Sequence, residues 1–358
     1  MALQVIEHRT IYKDRRYYCG PGPSVVVDGE GELVIAFRRV PSWLDYGHAG
    51  HWHPATESCQ VRSADGGKSW SRPEVFLGGY QCPNLTRLKD GTLIHSTHRM
   101  ELVPEEIAAG VDRDHGVRQK PWPSVHAGTA IWRSEDGGRS WGDPAFLSGV
   151  PDLSPLHPNL PMPVAVRGNV LETASGRLLI SAYDLLDPNS AYLFQSMDGG
   201  RSWGYQARIV EGFNETFLYE TESGGIIAFS RRWGNDPSLL HRIRSTDGGD
   251  SWGQPESVCR GYPACAVRMQ SGRVLLAYGY RFDEGPGVRA RLLSPECELV
   301  DDQECIIRDD GAVFDLGYPD VEFLPDGRVL IVYYTNSMRD AGDATAPRFI
   351  EACIVEEV

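Results

Sequence analysis

The chain has 358 residues, with 35 lysines and arginines against 49 aspartates and glutamates, a formal charge of −14. That balance excludes nucleic acid and anionic membrane surfaces as partners, and any anionic ligand needs a local cluster of arginines. Hydrophobic residues at 41% suffice for a core, 39 glycines and 24 prolines fit an all-β chain with many turns, and no apolar stretch is long enough to span a bilayer.

The N-terminus, MALQVIEHRT, lacks a cationic segment followed by an apolar run, so the sequence reads as a cytoplasmic protein. LQVIEHRTIY alternates like a strand. Next comes a recurring pattern: a short apolar strand, a turn ending in Gly, and a second apolar strand. The second strands begin at Gly31, Gly91, Gly176, Gly224, Gly272 and Gly327, which makes six copies. First strands precede them, for example Val25–Val27, Asn84–Leu88, Thr216–Glu220 and Asp320–Leu324. Two long insertions interrupt the early copies: Pro41–Ser58, rich in Trp, Tyr and His, and a stretch from about Val103 to His126. Loops of this length are usually functional, and both are expected to overhang one mouth of the fold.

After each of the first four copies stands a near-identical octapeptide: SADGGKSW at Ser63–Trp70, SEDGGRSW at Ser134–Trp141, SMDGGRSW at Ser196–Trp203 and STDGGDSW at Ser245–Trp252. The intervals are 71, 62 and 49 residues. Asp-Gly-Gly makes a tight turn: the Asp side chain accepts from turn amides, and the glycines take positive φ. The Trp packs back over the turn. In the fifth copy SPECEL, Ser294–Leu299, reads as an eroded version, and the sixth ends in RFIEACIVEEV without a following partner. Eight scattered cysteines (Cys19, Cys59, Cys82, Cys259, Cys265, Cys297, Cys305, Cys353) show no Cys-x-x-Cys pair and read as buried free thiols.

The octapeptide resembles the Asp-box of the sialidase superfamily. The resemblance implies a β-propeller with the boxes on outer hairpins, reporting fold and not catalysis. Six copies of four short strands give six blades in one domain, residues 1–358, with the orphan N- and C-terminal strands pairing to close the ring and remove exposed edges.

In a propeller, the starts of first strands and the ends of second strands line the axial funnel. At the starts lie Gly20-Pro21-Gly22-Pro23, Cys82-Pro83-Asn84, Arg167-Gly168-Asn169, Asn214-Glu215, Tyr262-Pro263 and Tyr318-Pro319-Asp320. At the ends lie Arg38-Arg39, His98-Arg99, Tyr183-Asp184, Arg231-Arg232, Tyr280-Arg281 and Tyr333-Tyr334. Arginines, carboxylates and tyrosines converge, as an anion or a polar ring would require. Strand alternation sends the two members of each Arg pair to opposite faces, leaving open whether Arg38 or Arg39, and Arg231 or Arg232, points inward.

NETFLYETESGGIIAFSRR (Asn214–Arg232) and DLGYPDVEFLPDGRVLIVYY (Asp315–Tyr334) resemble the sialidase segments that carry the Glu base, a carboxylate-binding Arg and the Tyr nucleophile. By resemblance Glu215 is the base, Tyr318 the nucleophile, Arg231 or Arg232 and Arg281 bind the substrate carboxylate, and Asp45 is the general acid. The family's Arg-Ile-Pro at the start of blade one has no counterpart in YYCGPGPSVVV, which puts sialic acid itself in question; Arg38 or Arg39 is placed to reach the same space. His98 faces the funnel as a substrate contact or as a hydrogen-bonded structural histidine. Trp43 and Trp52, with Tyr46 and Trp122, either stack on sugar faces or pack on one another. His48, His51 and His53 match no metal motif, and no metal or cofactor is expected. The expected activity is hydrolysis of a terminal, acidic sugar from a carbohydrate substrate. The alternatives are a hydrolase or lyase for another uronic or ulosonic acid glycoside, and a non-catalytic glycan-binding propeller.

Overall fold

The computed structural model describes residues 2–42, 55–111, 116–117, 123–155, 157–234, 239–282, 284–336 and 348–358. Six antiparallel sheets form the blades of a propeller. Their innermost strands are Ser24–Val27, Tyr80–Arg87, Ala165–Glu172, Phe213–Glu220, Ala264–Arg268 and Gly317–Phe323. The second strands are Leu33–Pro41, Leu93–Leu102, Leu178–Tyr183, Ile226–Arg232, Val274–Tyr280 and Val329–Thr335. In blade six the outermost strand is Leu3–Tyr12, paired antiparallel to Phe349–Glu357 from Leu3↔Glu357 to Tyr12↔Ile350, so the first and last strands close the ring as expected.

Two additions were not legible beforehand. Tyr17–Cys19 pairs with the end of the second strand in blade one, and Gly116–Val117 pairs with the third strand of blade two. That third strand begins at Ser124, so His126 belongs to the sheet and the second insertion is shorter than the sequence suggested.

Apolar burial runs between neighbouring blades. Ile11, Ile35, Phe37, Val332 and Ile354 join blades six and one, and Ile94, Ile131, Ile180 and Phe194 join blades two and three. The inner strands are also stitched by side chains that satisfy backbone groups next door. Asp320 accepts from Ser24 Oγ (2.5 Å) and Val25 N (2.9 Å), Thr86 Oγ1 accepts from Val170 N (3.1 Å), and Asn169 exchanges two bonds with the backbone of Leu218.

Each Asp-box turn repeats one geometry. In the first, Gly67 N donates to Ser63 Oγ (2.8 Å), while Asp65 accepts from Lys68 N, Ser69 N and Ser69 Oγ (3.0, 2.9 and 2.6 Å). Hydrogen bonds from Ser69, first its hydroxyl and then its amide, hold the Asp65 carboxyl well below the usual carboxylate range. The eroded fifth turn keeps part of this pattern, with Glu298 N donating to Ser294 Oγ at 3.0 Å and Cys297 taking the positive φ of 62°.

A second repeat ties the first, second and fourth boxes, and the eroded fifth turn, to the preceding blade. Arg9 donates to Gly66 O (3.2 Å), Arg62 to Gly137 O, Arg177 to Gly248 O, and Arg244 to Glu296 O (2.8 Å). The residue before each box serine is Arg62, Arg133, Gln195 and Arg244; where Gln195 breaks the series, Arg177, just before the adjacent strand, supplies the guanidinium. Arg62 also pairs with the fully buried Asp28 carboxylate at 3.1 Å. Arg62→Ala is therefore expected to lower the unfolding free energy by about 1.5–3 kcal/mol, the range for hydrogen bonds involving a charged group. Urea titration checks this.

Candidate active site

The site forms where inner strands begin. Pairing registers shift there, between Gln81 and Asn84, Val166 and Val170, Phe213 and Thr216, and Gly317 and Asp320. Such irregularities re-aim side chains out of the regular pleat. In blades four and six they bring Glu215 and Tyr318 together across the ring. Tyr318 has a φ of 49°, a left-handed conformation rare for a tyrosine. The preceding Gly317, at φ 95°, lies so close to blade five that an added Cβ would sit 2.8 Å from the Cα of Gly279.

Tyr318 donates its hydroxyl to Glu215 Oε1, and Arg231 Nη1 donates to Glu215 Oε2 at 2.8 Å. Both members of the central pair are buried, at 6% and 5% exposure. Burial, and then the Glu215 charge, push the Tyr318 phenol well above its ordinary value, against the pull of Arg281 and Arg231. Burial pushes the Glu215 carboxyl up, but the Arg231 charge and the bonds from Tyr318 and Arg231 outweigh it and hold the group below the usual Glu range. The resting pair is thus a neutral phenol donating to a carboxylate.

Around this pair lies a buried charge network. Arg281 donates through Nε to Leu316 O (2.8 Å) and through Nη2 to Asp315 Oδ1 (3.0 Å) and Tyr334 Oη (2.6 Å). Asp315 Oδ2 pairs with Arg348 Nη1 at 2.5 Å, so one carboxylate is shared by two guanidiniums. Tyr334 Oη donates to Asp315 Oδ1 at 2.6 Å. Arg231 stacks over Tyr262 at 4.0 Å and near Trp233 at 5.6 Å. Among the described residues, Arg38, Arg167, Arg231, Arg281 and Arg348 stand against Glu215, Asp315 and Asp320, an excess of positive charge inside an acidic protein. Such an enclosure favours an anion.

Alternation resolves the two arginine pairs. Arg231 meets Glu215, while Arg232 is exposed on the other face. Arg38 is 2% exposed and donates to Thr56 Oγ1 at 3.3 Å, in the field of Arg348 and Asp315. Burial is the main cause that presses its pKa down to about 10. The residue at position 20 permits this: a Cβ on Gly20 would lie 2.1 Å from Arg38 Nη1, so the Gly20-Pro21-Gly22-Pro23 turn clears room for a guanidinium from the next strand. Arg39 instead faces away, bonded to Glu57 (2.8 Å) and Tyr12 (3.0 Å) and stacked on Tyr17 (3.9 Å); the structure does not bring it or Arg232 to the site.

His98 is buried with Nδ1 at 3.1 Å from Val166 O, and burial pushes its pKa down to about 4, so it is neutral at neutral pH. His95, on the opposite face, packs against Trp132 and Phe76. Asp45, Trp43, Tyr46, Trp52, Trp122 and the His48, His51 and His53 group lie outside the described residues. Sequence reasoning assigned no role to Asp315, Arg348, Arg167 or Trp233. Arg348 immediately precedes the last strand, at a third-strand start, apart from the first-strand starts and second-strand ends that line a propeller funnel. Among the described residues, the carboxylates spaced to hold a metal are Asp28, Glu30 and Glu32, and Arg62 and Arg139 already pair with them beside the second Asp-box.

Comparison with known proteins agrees with this architecture. The family model of the BNR repeat-like domain matches residues 114–331. A protein of unknown function from Dyadobacter fermentans is 31% identical, with 99% of each chain covered and a TM-score of 0.87. The intramolecular trans-sialidase from Ruminococcus gnavus, solved with oseltamivir carboxylate, is 14% identical with a TM-score of 0.64, covering 95% of this chain and 94% of that one. The NanB sialidase from Streptococcus pneumoniae is 13% identical with a TM-score of 0.67, covering 99% and 70%. At those identities the two sialidases share the fold. No curated protein matches. From the extent of the family match and the full-length relative at 31% identity, the chain belongs to the BNR repeat-like domain family.

Proposed function

We propose that this protein is a glycoside hydrolase that releases a terminal acidic sugar from a glycan through a tyrosine nucleophile. The observation that carries the reading is the buried hydrogen bond from Tyr318 to Glu215, set among arginines. An anomeric carbon beside a carboxylate repels an anionic nucleophile; a neutral phenol avoids that repulsion and gains nucleophilicity as a base takes its proton. Tyr318 Oη attacks the anomeric carbon while its proton passes to Glu215 Oε1. The glycosidic bond breaks, and the leaving oxygen takes a proton from a general acid, the role that the family resemblance gives to Asp45. Water then attacks the glycosyl-tyrosine and yields a proton to the same acid residue, while Glu215 returns its proton to the departing phenolate. Arg231 and Arg281 have further N–H groups with which to hold the sugar carboxylate by charge-assisted hydrogen bonds.

Release of a fluorescent aglycone from aryl glycosides tests this, using sialic acid, its deaminated form and a set of uronic acids. Turnover of one or more acidic glycosides, with neutral hexosides inert, is the expected result. Turnover of uronides alone would move the substrate from sialic acid to a uronic acid, consistent with the absent Arg-Ile-Pro. Inertness toward all of them would remove the hydrolase reading and leave a glycan-binding propeller.

A further inference from the structure

The tripeptide Arg167-Gly168-Asn169 opens the inner strand of blade three, and the reaction above gives it no part. Its members touch three other blades. Asn169 exchanges backbone bonds with Leu218 in blade four, at 3.0 and 3.1 Å. Gly168, at φ 144°, brings the two strands so close that an added Cβ would lie 2.2 Å from the carbonyl oxygen of Thr216, the residue after Glu215. Arg167, 5% exposed, reaches the far side of the ring. Its Nη1 donates to Asn84 Oδ1 in blade two at 3.2 Å, its Nη2 points to Pro319 O in blade six at 3.4 Å, and its guanidinium carbon lies 4.8 Å from the centroid of the Tyr318 ring. Arg281 lies 4.9 Å from the same centroid.

We propose that Arg167 is a positioning residue for the nucleophile, holding the Tyr318 ring and the turn after it and stabilising the negative charge that develops on the phenol as its proton leaves. This rests on the hydrolase reading above. Three physical points support it. The guanidinium is planar, permanently charged and within the distance at which a cation is attracted to an aromatic ring. In a buried site the field of that cation is only weakly screened, so a phenol acquiring negative charge is favoured over the neutral one. The left-handed backbone at Tyr318 costs energy and persists where neighbouring groups hold it, and the contact from Arg167 to Pro319 O falls on the next residue. Because the charge on the phenol grows only on the way to the transition state, the contribution enters kcat and leaves substrate affinity alone.

The test compares the full-length parent with Arg167→Met and Arg167→Lys on the acidic aryl glycoside that the parent turns over best. For Arg167→Met, kcat per folded molecule is expected to fall on the order of ten- to a hundred-fold, with KM within about two-fold. Arg167→Lys keeps the charge without the planar stack and recovers a measurable part of the loss. A purely structural role would reduce the folded fraction or raise KM without this split. If Arg167→Met keeps its kcat, changes only KM, or is matched by Arg167→Lys, the role of Arg167 is overturned while hydrolysis stands. If the parent turns over no acidic glycoside, hydrolysis fails and the role of Arg167 fails with it.

Discussion

Tyr318→Phe is expected to lose at least about 10³-fold in kcat on any acidic glycoside the parent hydrolyses, the scale seen when a nucleophile is removed from its catalytic unit. The substitution deletes one oxygen. The ring keeps its contacts with Arg167 and Arg281, and Glu215 keeps its bond from Arg231, so the fold and KM are expected to change little. Glu215→Gln gives a similar loss for a different reason: the amide still accepts the phenol hydrogen bond but has no basic lone pair for the proton. The double variant then loses little more than either single one, because two members of one proton-transfer unit do not add. Turnover by Tyr318→Phe within ten-fold of the parent would exclude a tyrosine nucleophile.

On the proposed mechanism the same pair is expected to set the acid side of the pH profile. Arg231, with the bonds from Tyr318 and Arg231 itself, holds the Glu215 carboxyl below the usual Glu range despite burial. In the proposed reaction the base is therefore ionised throughout the weakly acidic range, and the acid limb of kcat/KM is expected to fall below that range. Arg231→Met removes the largest lowering influence and shifts the limb to higher pH. The linkage sign is that of a depressed carboxyl: its contribution to stability is full above the unfolded Glu value and is lost as pH falls through the lower folded value.

How much of this was legible in the sequence depends on the range of the contact. The Asp-boxes were readable because Ser, Asp, the glycines and Trp all act within eight residues, and each turn closes on itself. Glu215 and Tyr318 lie 103 residues apart, yet the six-fold pattern put both at inner-strand starts, so their meeting followed from blade phase. The choice between Arg38 and Arg39 did not follow. Alternation separates the two faces, but which face looks inward is fixed by the clearance at Gly20 and by Glu57, on the neighbouring strand, capturing Arg39. Arg167 was visible as a residue and invisible as a contact, since nothing local links it to Pro319, 152 positions on. Asp315 lay inside a segment already singled out for Tyr318, but its role exists only because Arg281 and Arg348 arrive from separate strands.

Asp315→Asn is expected to be the most destabilising single change in the funnel, by about 3–5 kcal/mol, the range for breaking a buried ion pair by removing one partner. Asp315, Arg281 and Arg348 have side-chain exposures of 5%, 6% and 7%, so none recovers its hydration when the carboxylate goes. Two guanidiniums then face each other with Arg38 nearby and no shared anion between them. A lower urea midpoint at constant slope is the signature, because the loss is electrostatic and leaves the exposed area on unfolding unchanged. Pairing the substitution with Arg348→Met should restore part of the stability, since the second change removes one of the stranded charges. An added anion such as sulfate should also raise the Asp315→Asn midpoint more than it raises the parent's, because it binds the folded funnel in place of the lost carboxylate. If Asp315→Asn unfolds at the parent's midpoint, or sulfate stabilises both proteins equally, the shared carboxylate is not what holds these arginines together.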